Sequence, residues 1–196
     1  QKRWARGLIP TVNDDLAADM YEYAMDRLAE AGFEQYEISN WARRKADGTL
    51  LSSKHNLQYW HNRPYLGFGA GAHGYAAGFR TANVGGIRPF IERCSKNAQH
   101  QAFPRGPATR RSIAIDRRME MQETMMVGLR LTQEGVPDGV FRERFGQSLR
   151  EVFGQEIERL VGLGLIEWVD ENQPRLRLTR HGRLLGNQVF MEFVGD

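Results

Sequence analysis

The sequence predicts an α/β chain in two parts, residues 1–110 and 111–196, and three observations carry that reading. Near the N-terminus a helical repeat of apolar residues runs straight into a short β-prone segment, which is half of a βαβ unit and belongs to a parallel sheet. From Arg117 onward three helical stretches, a hairpin pattern and a closing helix follow in the order of a winged helix. Between these, glycine and proline break up the chain, and the boundary falls within Ala102–Asp116.

The first helix spans about residues 14 to 31. Thr11 and Asp14 supply a start signal in which side-chain oxygens satisfy free amide donors. Leu16, Met20, Ala24 and Leu28 repeat every four residues, and Gly32 can close the helix in the left-handed region. Phe33–Asn40 then reads as one strand, with Tyr36 and Ile38 on one face and Glu37 and Ser39 on the other. Residues 41–54, with Asp47-Gly48 as a turn, form a surface loop, and Tyr75–Ala114 is irregular apart from a short helix over Pro89–Ser95. Met121, Met125 and Leu129 mark an amphipathic helix to Leu131. Pro137 opens a second helix, Ser148 caps a third, and LIEWV, DENQP and RLRL predict a hairpin with a five-residue loop. Thr179 caps a last helix carrying Leu184, Leu185, Val189 and Phe193.

At 196 residues, 41% hydrophobic and 26% charged, the composition is that of an ordinary globular chain. It contains no apolar run of the roughly 18 residues a membrane span needs and no signal-peptide layout, which predicts a cytoplasmic setting without an integral membrane segment. The one cysteine, Cys94, cannot hold a cluster or a zinc by itself and reads as a buried or half-buried thiol. Charge is uneven: Arg80 to Arg118 holds nine Lys or Arg against Glu92 and Asp116, so an anionic partner is expected there. Gln1 in place of an initiator methionine, and a helix–strand unit without upstream neighbours, lead to the expectation that the chain starts inside a larger domain.

The stretch His55–Gly74, HNLQYWHNRPYLGFGAGAHG, concentrates the candidate site residues. On one helical turn His55 and Tyr59 share a face. An imidazole backed by flat aromatic rings, with arginines nearby, has the parts of a macrocycle site: an axial nitrogen, walls and partners for propionates. A hydrogen-bonded histidine beside an aromatic cluster is the alternative reading, and it applies equally to His61, His73, His100 and His181. Gly69 to Gly74 matches G-x-G-x-x-G, yet no helical period follows, so a dinucleotide site is disfavoured. The winged-helix order invites DNA binding, but Gln147–Arg183 balances six arginines against six acidic residues. A nucleic-acid interface needs a cationic footprint, so a structural or protein-contact role is favoured. G-x-S-x-G, H-E-x-x-H and C-x-x-C are all absent, and the chain alone is not expected to carry out chemistry.

Three motifs, YEISNWAR (Tyr36–Arg43), HNLQYW (His55–Trp60) and YLGFGAGAHGY (Tyr65–Tyr75), in this order, closely resemble the radical SAM family of oxygen-independent coproporphyrinogen III oxidase-like proteins. HNxxYW points to its heme-chaperone branch, and MMVGLRLTQEGV, GLGLIE and LTxxGRLLGNQVF match the family's C-terminal domain. The resemblance implies the C-terminal elements of a partial (β/α) radical SAM barrel followed by an α+β winged-helix-like domain. The implied function is binding heme and transferring it to a recipient protein. The alternative is oxidative decarboxylation of coproporphyrinogen III propionates in porphyrin biosynthesis. His55 resembles the heme-iron ligand, with Asn56, Tyr59 and Trp60 completing the motif. Ala42 and His73 match the strand ends that approach S-adenosylmethionine. The family's C-x-x-x-C-x-x-C, which holds a [4Fe–4S] cluster, is absent, so the chain reads as the C-terminal half of such a protein, cut within the barrel near Arg6–Pro10.

Overall fold

The computed structural model describes residues 13–96 and 101–194. Thr11, His100 and Arg6–Pro10 lie outside the described residues. Helix α1 (Asp14–Glu30) is capped by Asn13, whose side chain accepts from the Leu16 amide at 3.0 Å. Gly32 follows at φ 78°, as its position after the helix led us to expect. The inward face runs through Tyr21, Met25 and Leu28, while Leu16 and Met20, expected on it, face outward.

The single strand expected over Phe33–Asn40 is instead a hairpin. Strands β1 (Phe33–Glu37) and β2 (Asn40–Arg43) pair antiparallel, with Gln35 opposite Trp41 and the turn at Ile38-Ser39. Every strand pairing among the described residues is antiparallel, so the parallel sheet implied by a βαβ unit is not present in them. Nor do Tyr36 and Glu37 divide between a buried and an open face, because both are buried. The free edge of β1 is met by the loop after the fourth helix: the Ile38 amide donates to the Arg130 carbonyl (3.1 Å) and the Thr132 amide to that of Tyr36 (3.2 Å). An exposed strand edge invites association, and this loop covers it.

Helix α2 (Lys54–Trp60) follows, and then a segment read from the sequence as irregular forms a three-stranded meander. Strands β3 (His73–Ala76) and β4 (Phe79–Asn83) are joined by Ala77-Gly78, both at positive φ (48° and 74°), which is the backbone of a two-residue hairpin turn. Helix α3 (Ile87–Lys96) crosses over before β5 (Thr109–Ala114) pairs with β4, so this sheet continues past residue 110. Arg110 and Arg111 keep the outer edge of β5 charged. Cys94, expected at least half-buried, is exposed on α3.

The remainder comprises α4 (Arg117–Gly128), β6 (Val136–Pro137), α5 (Asp138–Phe145), α6 (Leu149–Gly162), β7 (Ile166–Val169), β8 (Arg175–Leu178), α7 (Arg180–Leu184) and α8 (Gly186–Phe193). Ser148 and Glu151 form a full capping box, and the β7–β8 hairpin turns over five residues. The last helix is in fact two, broken at Leu185 before Gly186. Met125, Leu129, Phe141, Phe145, Phe153, Ile157, Leu176, Leu178 and Phe193 lie in one apolar core shared by these elements. Contiguous burial of this kind supplies the main folding drive.

Candidate functional site

Ser53 starts α2 by accepting the Asn56 amide at 3.3 Å, which sets HNLQYW on a single short helix. His55 and Tyr59, one turn apart, face the same way: the Tyr59 hydroxyl lies 3.3 Å from His55 Nε2 and the rings meet edge to face at 5.0 Å. Tyr59 also meets Tyr65 edge to face at 4.6 Å, so three rings stand in a row. His55 is exposed, with one ring nitrogen engaged by Tyr59 and the other without a partner among the described residues. An imidazole steadied on one nitrogen and open on the other can coordinate a metal held at the surface.

Trp60 turns the other way, half-buried beneath the Arg130 guanidinium at 4.4 Å, and its indole N–H is buried without a partner. Trp60 thus joins α2 to the C-terminal part instead of extending the row of rings. Ala42 is buried on β2 opposite Glu34, whereas His73 is exposed at the start of β3 opposite Ala82. Those two strands belong to separate sheets, and no described contact joins either residue to His55.

A polar cluster that sequence reasoning missed follows directly on α2. Asn62 is 2% exposed at φ 47°, and its side-chain amide donates to Thr124 Oγ1 (3.1 Å) while its oxygen accepts from Arg80 (3.3 Å). Arg80 grips Glu123 through two nitrogens (2.9 and 2.7 Å) and stands over the Tyr75 ring at 4.6 Å. Arg144 donates to the Asn62 carbonyl (3.0 Å) and pairs with Glu120. Burial, with the nearby Glu120 charge, raises the Tyr75 pKa. His61 meets Glu134 at 3.0 Å, and that hydrogen bond holds the Glu134 carboxyl below its ordinary range. The only sequence signal for this cluster was the basic excess that begins at Arg80.

Among the described residues no group of three or more His, Cys, Asp or Glu could hold a metal ion. With one cysteine, itself exposed on α3, the residues present do not fit a [4Fe–4S] cluster. No described helix is long and apolar enough to cross a membrane.

Residues 115–185 match the model of the HemN C-terminal domain. The chain is 39% identical over 179 residues to the heme chaperone HemW of Bacillus subtilis, covering 91% of this chain and 43% of that protein. With HemW of Lactococcus lactis it shares 34% identity over 194 residues, 99% of this chain and 46% of the relative. Residues 115–185 therefore belong to the HemN C-terminal domain family. To the mitochondrial radical S-adenosyl methionine domain-containing protein 1 of Mus musculus the chain is 34% identical over 170 residues, 82% of this chain and 36% of the relative. The fold is similar to that of coproporphyrinogen III oxidase (HemN) from Escherichia coli, a radical SAM enzyme. The TM-score is 0.61 at 17% identity, over 90% of this chain and 40% of the other. The chain therefore spans less than half the length of these relatives.

Proposed function

We propose that this chain belongs to a radical SAM heme chaperone, in which it binds heme and passes it to a recipient protein. One observation carries the reading: His55 presents an open imidazole nitrogen at the surface, steadied by Tyr59, inside the HNLQYW motif. An iron ligand at the surface suits a cargo that must leave again, since a fully enclosed macrocycle would have to be released by unfolding its pocket. Identity of 39% and 34% to proteins named as heme chaperones supports the same reading.

In this proposal His55 ligates the iron, Tyr59 orients it, Asn56 completes the first turn and Trp60 anchors α2. Ala42 and His73 line the approach to S-adenosylmethionine, which would regulate transfer together with a [4Fe–4S] cluster held elsewhere in the longer protein. Residues 111–196 act as a winged-helix-like protein-contact module, and the whole works in the reducing cytoplasm. Decarboxylation of coproporphyrinogen III is the second reading, and its structural support is the fold likeness to HemN.

Heme titrated into the wild-type chain should give a shifted Soret band that is lost or weakened in His55→Ala. Identical spectra and affinity in the two proteins would sink the ligand assignment.

A further inference from the structure

The loop after Tyr65 holds apolar side chains in water by means of a fixed backbone. The Asn83 side-chain amide donates to the Gly69 carbonyl at 3.0 Å and the Gly71 amide to that of Val84 at 2.8 Å. Gly67 lies so close to β3 that a Cβ there would stand 2.0 Å from the His73 carbonyl oxygen. On this pinned loop Phe68 is 85% exposed, and across an open cavity of about 310 Å³ Phe103 is 67% exposed, with Phe90 of α3 lining the same space. Rigidly displayed apolar surface of this kind marks a binding site more often than a solvated face.

Charge at the rim narrows the occupant. Of the cations between Arg80 and Arg118, Arg80 pairs with Glu123, and Arg117 and Arg118 cover Phe145 and Phe153. Arg105 lines the cavity and has no ion pair among the described residues. A flat apolar body with a carboxylate at its edge meets both features, because the ring covers phenylalanine while the guanidinium meets the anion. Tyr65, immediately before the loop, is the end of the ring row that begins at His55.

We propose that the groove between Phe68 and Phe103 binds the ring of a carboxylated porphyrin, with Arg105 meeting a carboxylate. The inference rests on the heme reading above, extending the site beyond His55.

Metal-free protoporphyrin IX, which offers His55 no iron, isolates the groove, and its binding is followed by fluorescence. Phe68→Ser, Phe103→Ser and Arg105→Gln should each weaken binding about tenfold. The dimethyl ester of the ring should bind the wild type about tenfold more weakly than the diacid, with no further loss in Arg105→Gln. All these side chains are exposed, so thermal midpoints should match the wild type and exclude misfolding as the cause. Wild-type affinity for the diacid in the three groove variants would overturn the proposal. A heme Soret band unaffected by His55→Ala would instead remove the iron-ligand reading and leave the groove standing.

Discussion

Asn62 shows how much of a site can hide in one residue. It combines a left-handed backbone, full burial and a side chain that bonds on both sides. Asparagine tolerates that backbone better than most residues because its short amide bonds locally. Replacement by alanine should cost about 3 kcal/mol: roughly 1 for the backbone and about 2 for leaving Thr124 and Arg80 unmatched. Asn62→Gly relaxes the backbone alone and should recover about 1 kcal/mol of that loss, read from urea midpoints of the three proteins. Equal midpoints in the two variants would remove the backbone part of the argument. The partners of Asn62 explain why it escaped sequence reading, for Arg80 is 18 residues away and Thr124 is 62. His55 and Tyr59, only four residues apart on one helix, could be paired from their spacing.

Helices were the legible elements, because caps and periods are local: Ser148, Thr179 and Gly32 each act where their types suggest. Strands β3 to β5 were not legible. Their residues include small and charged ones, His-Gly-Tyr-Ala and Thr-Arg-Arg-Ser-Ile-Ala, and their pairing is set by partners up to 35 residues apart, as in Phe79 and Ala114. Ala77-Gly78 was the signal present but unused. Between elements, His61 at the end of α2 meets Glu134 ahead of β6, with Arg175 and Arg63 also favouring the carboxylate. The hydrogen bond from His61 lowers the Glu134 pKa below the ordinary glutamate value of 4.5. Its contribution to stability is therefore present above pH 4.5 and disappears as pH falls through the lowered value. In His61→Phe the fall in stability below pH 4.5 should be shallower, measured by chemical unfolding at successive pH values. An unchanged slope would mean that Arg175 and Arg63 hold the carboxylate without His61.

At the scale of the molecule, the helical periods and caps of the second part were legible from Arg117 onward, although that part also carries the three-stranded sheet β6-β8-β7. The way the parts are fastened was not legible, because it depends on single long side chains and on backbone bonds between distant segments. Arg80 of β4 reaches Glu123 of α4, Arg144 of α5 reaches the Asn62 carbonyl, and the Arg130–Thr132 loop bonds to the edge of β1. Arg80 and Glu123 are less than a third exposed, where removal of one partner strands a charge and costs about 3 kcal/mol. The first part also has a thinner core, since the main apolar cluster draws on residues 121–193 and only Ile38 packs against it from β1 and its turn. These fastenings therefore decide whether the first part melts with the second. The wild type should unfold in one calorimetric transition with equal calorimetric and van't Hoff enthalpies. In the double variant Arg80→Ala, Arg144→Ala the first part should separate as an earlier transition, while the second keeps a midpoint within a few degrees of the original. Replacing Trp41 or Trp168 by Phe in that variant assigns the two from the difference in tryptophan emission, because Trp41 lies in the first part and Trp168 in the second. A single transition retained in the double variant would place the coupling in the contacts between β1 and the Arg130–Thr132 loop, where hydrogen bonds to the backbone would be holding the halves together without the two arginines.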